Sequence, residues 1–234
     1  MEQLKDFFKD KKVTSILDVG TGTGDFLTVL KDVFRAARFT GIDPNSDALK
    51  EAAIKHPEVS FMEMSGETLN FDDSSFDLAS ISMALHHLPD VKKALNEMKR
   101  VVKSGGWMVV NELFSDNLSP AQEVHKMYHH FRSSVDRLIG VSHNHTFKKA
   151  EILSLIEKSG IEIIHHFEFN KAKNLISNPR DVEFYVQKME AMLEPVKNSS
   201  EYNRLKPKIS EFKEAALKYG FQQATKVVVI GKVQ

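Results

Sequence analysis

The first half of the chain alternates short apolar runs with segments whose apolar residues recur every three or four positions. The short runs predict buried strands, and the helical spacing predicts amphipathic helices. The predicted strands are 13–19, 38–42, 59–64, 76–83 and 107–113, and the predicted helices are 25–34, 46–55 and 91–102. Strands that alternate with helices at this spacing indicate right-handed crossovers and a parallel sheet covered by helices on both faces.

The second half of the chain is less regular. Its pattern predicts helices over 120–138 and 148–158, and strands over 161–167 and 226–232. Between these two strands lies a mostly helical stretch at about 179–219. A connection of that length is more often a cap over a site than a plain loop.

Composition narrows the functions that this fold can carry. The 234 residues contain 32 Lys+Arg and 32 Asp+Glu, so the chain lacks the positive field of a general nucleic-acid binder. The absence of cysteine excludes disulfides, thiolate metal sites and cysteine nucleophiles. The first ten residues are too charged for a signal peptide, and no apolar run approaches 18 residues. We therefore expect a cytoplasmic protein with no membrane insertion and no nucleic-acid partner.

The most informative segment is a glycine-rich loop between the first predicted strand and the first predicted helix. Gly20, Gly22 and Gly24 stand at every second position. This spacing differs from the Gly-x-Gly-x-x-Gly of dinucleotide-binding loops, and Gly24 is not followed by the Lys-Ser/Thr of a phosphate-binding P-loop. Asp25, at the start of the helix, would also repel a pyrophosphate. The loop therefore predicts a ligand without a chain of phosphates.

Two carboxylates indicate which ligand that is. Asp18 ends the first strand and is positioned to meet an ammonium group. Asp43 follows the second strand and is positioned to accept hydrogen bonds from two ribose hydroxyls. An amino acid joined to a nucleoside without phosphate satisfies both, and S-adenosylmethionine is such a molecule.

Five segments, taken together, resemble the motifs of class I S-adenosylmethionine-dependent methyltransferases, in particular the UbiE-like, methyltransferase-11-type branch. The segments are 18–24, 41–43, 64–71, 76–88 and 101–106. The resemblance implies an α/β, Rossmann-like fold: a seven-stranded mixed sheet with its last strand antiparallel, helices on both faces and a helical cap. We expect one domain over 1–234, with a cofactor-binding core at about 13–113 and substrate or cap elements at about 118–147 and 168–223.

The same resemblance implies roles for individual residues. The glycine loop would lie beneath the methionyl and ribose parts, Asp18 would orient the loop or meet the amino group, and Asp43 would hold the ribose. Pro44 would flank the adenine, with Ser65, Gly66 and Glu67 along its edge. Ser82 and Met83 would lie beside the methionyl part. The full set of expected cofactor-binding residues is Asp18, Gly20, Thr21, Gly22, Gly24, Asp43, Pro44, Ser65, Gly66, Glu67, Ser82 and Met83.

The reaction implied is an in-line displacement in which an acceptor atom attacks the methyl of a sulfonium. The segment after the fourth strand lacks the Asn/Asp-Pro-Pro-Tyr/Phe string of enzymes that methylate exocyclic or amide nitrogens, which leaves a small molecule as the expected acceptor. Two alternatives remain open. One is an RNA-directed methyltransferase, since lysines and arginines cluster on the helix at 91–102, and the other is a non-catalytic binder of S-adenosylmethionine or its demethylated product. A homodimer is possible.

Histidines are the remaining candidates for chemistry. Near the fourth strand stand His86 and His87, one of which we expect to be structural. A metal site is one alternative for the later histidines, with ligands drawn from Glu112, His125, His129, His130, His143 and His145. We expect no metal and instead predict that His143 or His145 is a substrate-side base or hydrogen-bond donor, His143 being the preferred candidate.

Overall fold

The computed structural model describes residues 1–170 and 175–234. In this part of the chain the strands are β1 (Ser15–Val19), β2 (Arg38–Asp43), β3 (Ser60–Glu63), β4 (Phe76–Ser82), β5 (Val102–Leu113), β6 (Glu162–Phe169) and β7 (Lys226–Lys232). The α-helices are α1 (Glu2–Phe8), α2 (Asp25–Val33), α3 (Ser46–Lys55), α4 (Val91–Val101), α5 (Pro120–Leu138), α6 (Lys149–Lys158), α7 (Pro179–Leu193), α8 (Tyr202–Leu205) and α9 (Pro207–Tyr219). Short 3₁₀ turns cover Leu85–His87 and Glu194–Val196. Residues 171–174, which belong to the predicted cap segment 168–223, lie outside the described residues.

The strands form one sheet in the order β3-β2-β1-β4-β5-β7-β6. The first five strands pair in parallel, and β7 runs antiparallel between β5 and β6. The predicted seven-stranded mixed sheet with an antiparallel last strand is therefore confirmed. Strand order reverses between β1 and β4, and in sheets of this kind the crevice at the carboxyl ends of such strands is where ligands bind.

Contacts divide the chain into two compact units. The first unit comprises residues 1–112, 150–169 and 227–234, and the second comprises 113–149 and 170–226. In the first unit, apolar residues of β1, β4 and β7 pack with α1 and α2, as Ile16, Leu78, Val228 and Leu27 illustrate. The core of the second unit is helical and joins apolar residues of α5, α7 and α9.

Most predicted elements begin and end within two residues of their positions in the structure, with β5 as the exception. The sequence pattern predicts that this strand begins at residue 107, after a helix end at Ser-Gly-Gly, and this prediction is wrong because β5 begins at Val102. Phe76 pairs with Val102 and Leu78 with Trp107, so residues 103–106 bulge opposite Asp77. Lys103 Nζ donates to Asp77 Oδ1 at 2.7 Å, and this ion pair lies across the bulge.

Helix α1 was not predicted at all. The sequence interpretation treated its residues only as a charged N-terminal segment. The helix buries Leu4 and Phe8, and the Phe8 ring meets the Phe34 ring edge-on with 4.9 Å between centroids. Two apolar residues four positions apart thus pack one face of this short helix against α2 and the residue that ends it.

Candidate functional site

The glycine loop turns sharply between β1 and α2. Gly20, Gly22 and Gly24 have φ angles of +64°, +52° and +81°, a region that residues with a side chain rarely adopt. A Cβ atom on Gly20 would lie 2.6 Å from the Cβ of Ala84, so the loop and the segment after β4 require a glycine there. A Cβ on Gly22 would meet no atom within 4 Å. The loop is therefore closely packed at Gly20 and has open space above Gly22.

Asp18, on β1, fixes the position of this loop through hydrogen bonds. The Thr21 hydroxyl donates to Asp18 Oδ2 at 2.8 Å, and the Ser80 hydroxyl donates to Asp18 Oδ1 at 2.7 Å. Asp18 is 1% exposed, and its burial raises the pKa of the carboxyl to about 6, against the opposing effect of the two hydroxyl hydrogen bonds. Both oxygens are thus engaged by protein hydroxyls that connect β1, the loop and β4.

Asp43 connects the same loop to the end of β2. The Gly22 N–H donates to Asp43 Oδ2 at 2.9 Å, and the Asn45 N–H donates to Oδ1 at 2.9 Å. Asp43 is partly exposed, and a carboxylate offers about four acceptor positions. Its oxygens can therefore accept further hydrogen bonds from a ligand. Pro44, the next residue, is exposed.

The segment after β3 lies beside Asp43, because the Met64 N–H donates to the Asp43 carbonyl at 3.2 Å. The exposed Ser65 hydroxyl donates to Glu67 Oε2. A Cβ on Gly66 would lie 3.0 Å from Val19 Cγ1, so Gly66 allows this segment to pack closely against the end of β1. The structure thus brings residues 65–67 to the same edge of the sheet as Asp43.

At the ends of β4 and β5, Ser82 and Met83 are held by Asn111. Asn111 Nδ2 donates to Ser82 Oγ at 2.8 Å, and the Met83 N–H donates to the Asn111 carbonyl at 2.8 Å. Met83 has a φ of +55°, a conformation that is costly for a residue with a side chain. Asn111 is 3% exposed, and its Oδ1 has no hydrogen-bond partner among the described residues. A buried acceptor without a donor is a group that a ligand can satisfy.

Sequence reasoning missed both Asn111 and Ser80. Each is a buried polar residue next to apolar residues of its strand, Ser80 following Ala79 and Asn111 following Val109 and Val110. A polar side chain in the second half of a buried strand was the signal that could have identified them.

A buried histidine–carboxylate pair follows the same two strands. His86 Nδ1 lies 2.9 Å from Glu112 Oε1, and the Leu85 N–H donates to Glu112 Oε2 at 3.0 Å. The residues are 2% and 0% exposed. The sequence pattern suggests Glu112 only as an alternative metal ligand with the later histidines, and it does not predict this pairing.

The later histidines lie in the second unit, where His143 is 2% exposed. His143 Nδ1 is 2.6 Å from Asp136 Oδ2, and its Nε2 is 3.2 Å from His129 Nε2. His145 is exposed, and its Nε2 is 3.0 Å from an Arg137 guanidinium nitrogen that can only donate. Burial, together with the charge of Arg137, lowers the pKa of His145 below its usual value.

His130 stacks on His145 with 4.2 Å between ring centroids and 9° between planes. Burial is the largest cause that lowers the pKa of His130 to about 4, followed by the charges of His145 and Lys126. These rings are therefore neutral at neutral pH. The twelve expected cofactor residues thus lie in the first unit, whereas His143 and His145 lie in the second.

Comparison with known proteins identifies the domain that contains the glycine loop. Residues 17–110 match the family model of a methyltransferase domain. The ubiquinone/menaquinone biosynthesis C-methyltransferase UbiE of Campylobacter jejuni is 36% identical over 107 residues, which cover 44% of this chain and 46% of that protein. The demethylmenaquinone methyltransferase of Staphylococcus aureus strain JH9 is 35% identical over 125 residues, 52% of each chain. The chain matches about half the length of these two curated relatives.

Solved structures show the same fold. A protein from Bacillus halodurans C-125 superposes with a TM-score of 0.69 at 20% identity, over 99% of this chain and 97% of the other. An S-adenosylmethionine-dependent methyltransferase from Methanosarcina mazei gives 0.61 at 17% identity, over 97% and 95%.

The described residues fit S-adenosylmethionine. There is open space above Gly22, the Asp43 carboxylate has acceptor capacity for hydroxyls, and a buried acceptor at Asn111 lacks a donor. The family match confirms the resemblance found in the sequence and the cofactor that it implies. Residues 17–110 therefore match a methyltransferase domain, and the sequence relatives confirm the resemblance to the UbiE-like, methyltransferase-11-type branch of class I S-adenosylmethionine-dependent enzymes.

Proposed function

We propose that this protein transfers a methyl group from S-adenosylmethionine to a small-molecule acceptor by in-line displacement. The observation that carries the proposal is the open space above Gly22, beside the Asp43 carboxylate. When bound, the cofactor supplies an already activated methyl group on a sulfonium. The protein then has to bind the two reactants, align them and exclude water. Positioning alone can lower the activation barrier by on the order of 7–11 kcal/mol.

Each part of the cofactor has residues that would hold it. Asp43 accepts hydrogen bonds from the ribose hydroxyls, and Pro44 with residues 65–67 borders the adenine. Gly20, Thr21, Gly22 and Gly24 form the floor beneath the ribose and methionyl parts. Ser82 and Met83 flank the methionyl part, where Asn111 Oδ1 supplies an acceptor for its ammonium group.

The sequence leaves two roles open for Asp18: it orients the loop, or it meets the amino group of the cofactor. We propose the first role. Its oxygens accept from Thr21 and Ser80, and its side chain is buried, so it holds the loop in the binding conformation. An ammonium contact would require the ligand to reach a carboxyl group that is 1% exposed.

The names of the relatives indicate which acceptor to test first. One of the sequence relatives above is named as a C-methyltransferase of ubiquinone/menaquinone biosynthesis, and the other as a demethylmenaquinone methyltransferase. We propose a reduced quinone ring, a small aromatic molecule that carries hydroxyl groups, as the first acceptor class. An equal number of acidic and basic residues argues against RNA as the acceptor.

In the second unit, we propose that His143 is a substrate-side base or hydrogen-bond donor. Asp136 holds its Nδ1, which fixes the ring orientation, and His129 meets its Nε2. His145 is the second candidate, and its Nε2 lies 3.0 Å from a guanidinium nitrogen of Arg137. Among the described residues, no helix is both long and apolar enough to cross a membrane. The cytoplasmic location and the homodimer stay predictions.

A labelled methyl-transfer assay tests the proposal. The protein is incubated with S-adenosylmethionine that carries a labelled methyl, and with either reduced demethylmenaquinone or unmodified tRNA. We expect label in the quinone and none in the RNA. Label only in RNA would contradict the acceptor class. Tight cofactor binding without transfer to reduced demethylmenaquinone, tRNA or any metabolite of a cell extract would favour the non-catalytic binder.

A further inference from the structure

A buried histidine of the first unit contacts the glycine loop from α3. His56 is the residue that ends α3, and it is 5% exposed. Its Nε2 lies 2.9 Å from the carbonyl oxygen of Gly24, the last glycine of the loop and the N-cap of α2. Its Nδ1 lies 3.3 Å from Lys31 Nζ, on the last turn of α2. The imidazole therefore connects the end of α3 to both ends of α2.

The two partners of this ring define where its proton lies. A carbonyl oxygen only accepts, so the contact with Gly24 requires a proton on His56 Nε2. An ammonium group only donates, so the contact with Lys31 requires a lone pair on His56 Nδ1. The neutral imidazole with its proton on Nε2 satisfies both contacts at once. The tautomer therefore follows from the two partners.

The ring is also fitted to a glycine. Gly24 has a φ of +81°, and a Cβ atom there would lie 2.7 Å from His56 Cδ2. The imidazole can approach the loop backbone this closely because position 24 carries no side chain. The Gly24 N–H donates to the Thr21 carbonyl at 2.9 Å, which closes the turn that ends at this glycine. His56 thus holds the last residue of that turn.

Three side chains from different elements hold the loop. Asp18 on β1 and Asp43 at the end of β2 hold its earlier residues, and His56 at the end of α3 holds Gly24. Glycines lose more conformational freedom on ordering than other residues, so a loop with three glycines needs such contacts to keep one conformation. When the binding conformation is populated less, the apparent affinity for the ligand falls by the same fraction.

We propose that His56 is a positioning residue for S-adenosylmethionine, and that it acts through the backbone of the glycine loop. Its Nε2–H keeps the Gly24 carbonyl in place, and Lys31 keeps the ring in the tautomer that can donate. This role rests on the proposed function, since it concerns the affinity of the same cofactor site. A histidine that only fills the space between α2 and α3 would instead affect stability, whatever the hydrogen-bonding groups of the side chain that replaced it.

The tautomer is tested first, with neither cofactor nor acceptor present. Nitrogen-15 NMR of histidine-labelled protein, at a pH where imidazoles are neutral, reports which ring nitrogen carries the proton. The signals of His56 are identified by their absence in His56→Gln. We expect Nε2–H on His56 in the wild type. An Nδ1–H tautomer would overturn the proposal.

Calorimetry with S-adenosylmethionine then measures the effect on binding. His56→Phe keeps an aromatic ring but removes both nitrogens, so affinity should fall about 5- to 150-fold, the loss expected when a buried carbonyl loses its donor. His56→Gln offers an amide N–H to Gly24 and an amide oxygen to Lys31, so its affinity should stay within about threefold of the wild type. This rescue distinguishes hydrogen bonding from packing.

A second lysine provides the matched control. Lys55 also connects α3 to α2, because its Nζ lies 3.1 Å from Oδ1 of Asp25, the first residue of α2. Both of these side chains are exposed, and such ion pairs contribute little. Lys55→Met should therefore bind S-adenosylmethionine within about twofold of the wild type. An equal loss of affinity in Lys55→Met and His56→Phe would contradict a specific role of His56.

Kinetics with reduced demethylmenaquinone as the acceptor separate positioning from catalysis. In His56→Phe the KM for S-adenosylmethionine should rise, whereas kcat at saturating cofactor should stay within about threefold of the wild type. If His56→Phe binds the cofactor as tightly as the wild type, the positioning role is wrong. If His56→Phe and His56→Gln lose affinity and thermal stability to the same extent, the histidine is a packing residue and the proposal is overturned. In both cases the methyltransferase function stands, and it fails only if the wild type itself does not bind S-adenosylmethionine or transfer its methyl group.

Discussion

The cofactor edge of the first unit, around the glycine loop and Asp43, is formed mainly by backbone groups. The histidine cluster of the second unit, around His143, is formed mainly by side chains. At the cofactor edge, backbone geometry dominates. Three glycines have positive φ angles, Gly20 approaches Ala84 closely, and backbone N–H groups donate hydrogen bonds to Asp43. In the histidine cluster, side chains dominate, as in the Asp136–His143–His129 chain of contacts and the stacked pair of His130 and His145.

This difference has a functional consequence. A site made of backbone groups recognises one ligand with a fixed shape, because the backbone changes little when side chains are substituted. A site made of histidines changes with single substitutions and with pH. We infer that the first region is specialised for the common cofactor and the second for the acceptor of this particular protein.

The largest effect should come from the second region. If His143 is the base, His143→Gln should lower the methylation rate about 10²–10⁴-fold, because a positioned base contributes that factor. If His143 only donates a hydrogen bond to the acceptor, the rate should fall less. Cofactor affinity measured by calorimetry should stay within about twofold. The exposed His166 on β6 offers a matched control, His166→Gln. A wild-type methylation rate in His143→Gln would show that His143 has no role in catalysis. A lowered rate that added zinc restores would instead indicate a metal site.

The two regions should also respond to pH in opposite directions. Asp18 has a native pKa of about 6 against an ordinary value of 3.8, so between these values the native state binds more protons than the unfolded state. Its contribution to the free energy of unfolding therefore falls as pH rises from about 4 to 7, by at most about 3 kcal/mol. His130, with its pKa lowered from 6.5 to about 4, contributes stability that instead rises over this range.

Urea unfolding of Asp18→Asn and wild type at pH 4.5 and 7.5 isolates the Asp18 contribution. The variant should gain stability relative to the wild type at the higher pH. His130→Asn should change in the opposite sense, because it removes a group whose contribution increases with pH. Parallel curves for Asp18→Asn and wild type would show that the carboxyl of Asp18 is not held at a raised pKa.

Backbone packing in the loop predicts the next effect. Gly20→Ala places a methyl 2.6 Å from Ala84 Cβ, and overpacking costs about 1–3 kcal/mol, so cofactor affinity should fall about 5- to 150-fold. Gly105→Ala is the matched control because Gly105 also has a positive φ, +74°, but a Cβ there meets no atom within 4 Å. Equal affinity for the cofactor in both variants would mean that the close approach to Ala84 does not shape the site.

The last of these effects concerns the ribose. Asp43→Ala should weaken cofactor binding at least about tenfold, because charge-assisted hydrogen bonds are worth roughly 1.5–3 kcal/mol each. Asp43→Asn keeps one acceptor oxygen and should show an intermediate loss by calorimetry. An unchanged dissociation constant in Asp43→Ala, in a variant that still folds, would exclude Asp43 as the ribose ligand.

The comparison also explains what the sequence could predict. The fold and the position of the glycine loop follow from local signals: apolar runs, helical spacing and glycines at every second position of a strand–helix turn. The β5 bulge was missed because its Ser-Gly-Gly is typical of a helix end, and only the pairing of Val102 with Phe76 reveals the strand.

Local sequence signals could not predict which side chains would pair in the folded protein. Glu112 is 26 residues from His86, and Ser80 is 62 residues from Asp18, so only the folded sheet brings them together. The sequence placed Asp18 at a strand end but could not tell that two hydroxyls would occupy its oxygens. His143 was singled out for its position, whereas its partners Asp136 and His129 lie on α5, 7 and 14 residues earlier.

Isothermal titration calorimetry of the purified protein with S-adenosylmethionine, S-adenosylhomocysteine, NAD and ATP tests the central claim most directly. The glycine spacing, the Asp43 carboxylate and the open space above Gly22 predict binding of the first two ligands with micromolar dissociation constants, and no measurable heat from NAD or ATP. Tight binding of NAD with no response to S-adenosylmethionine would contradict the account of this site.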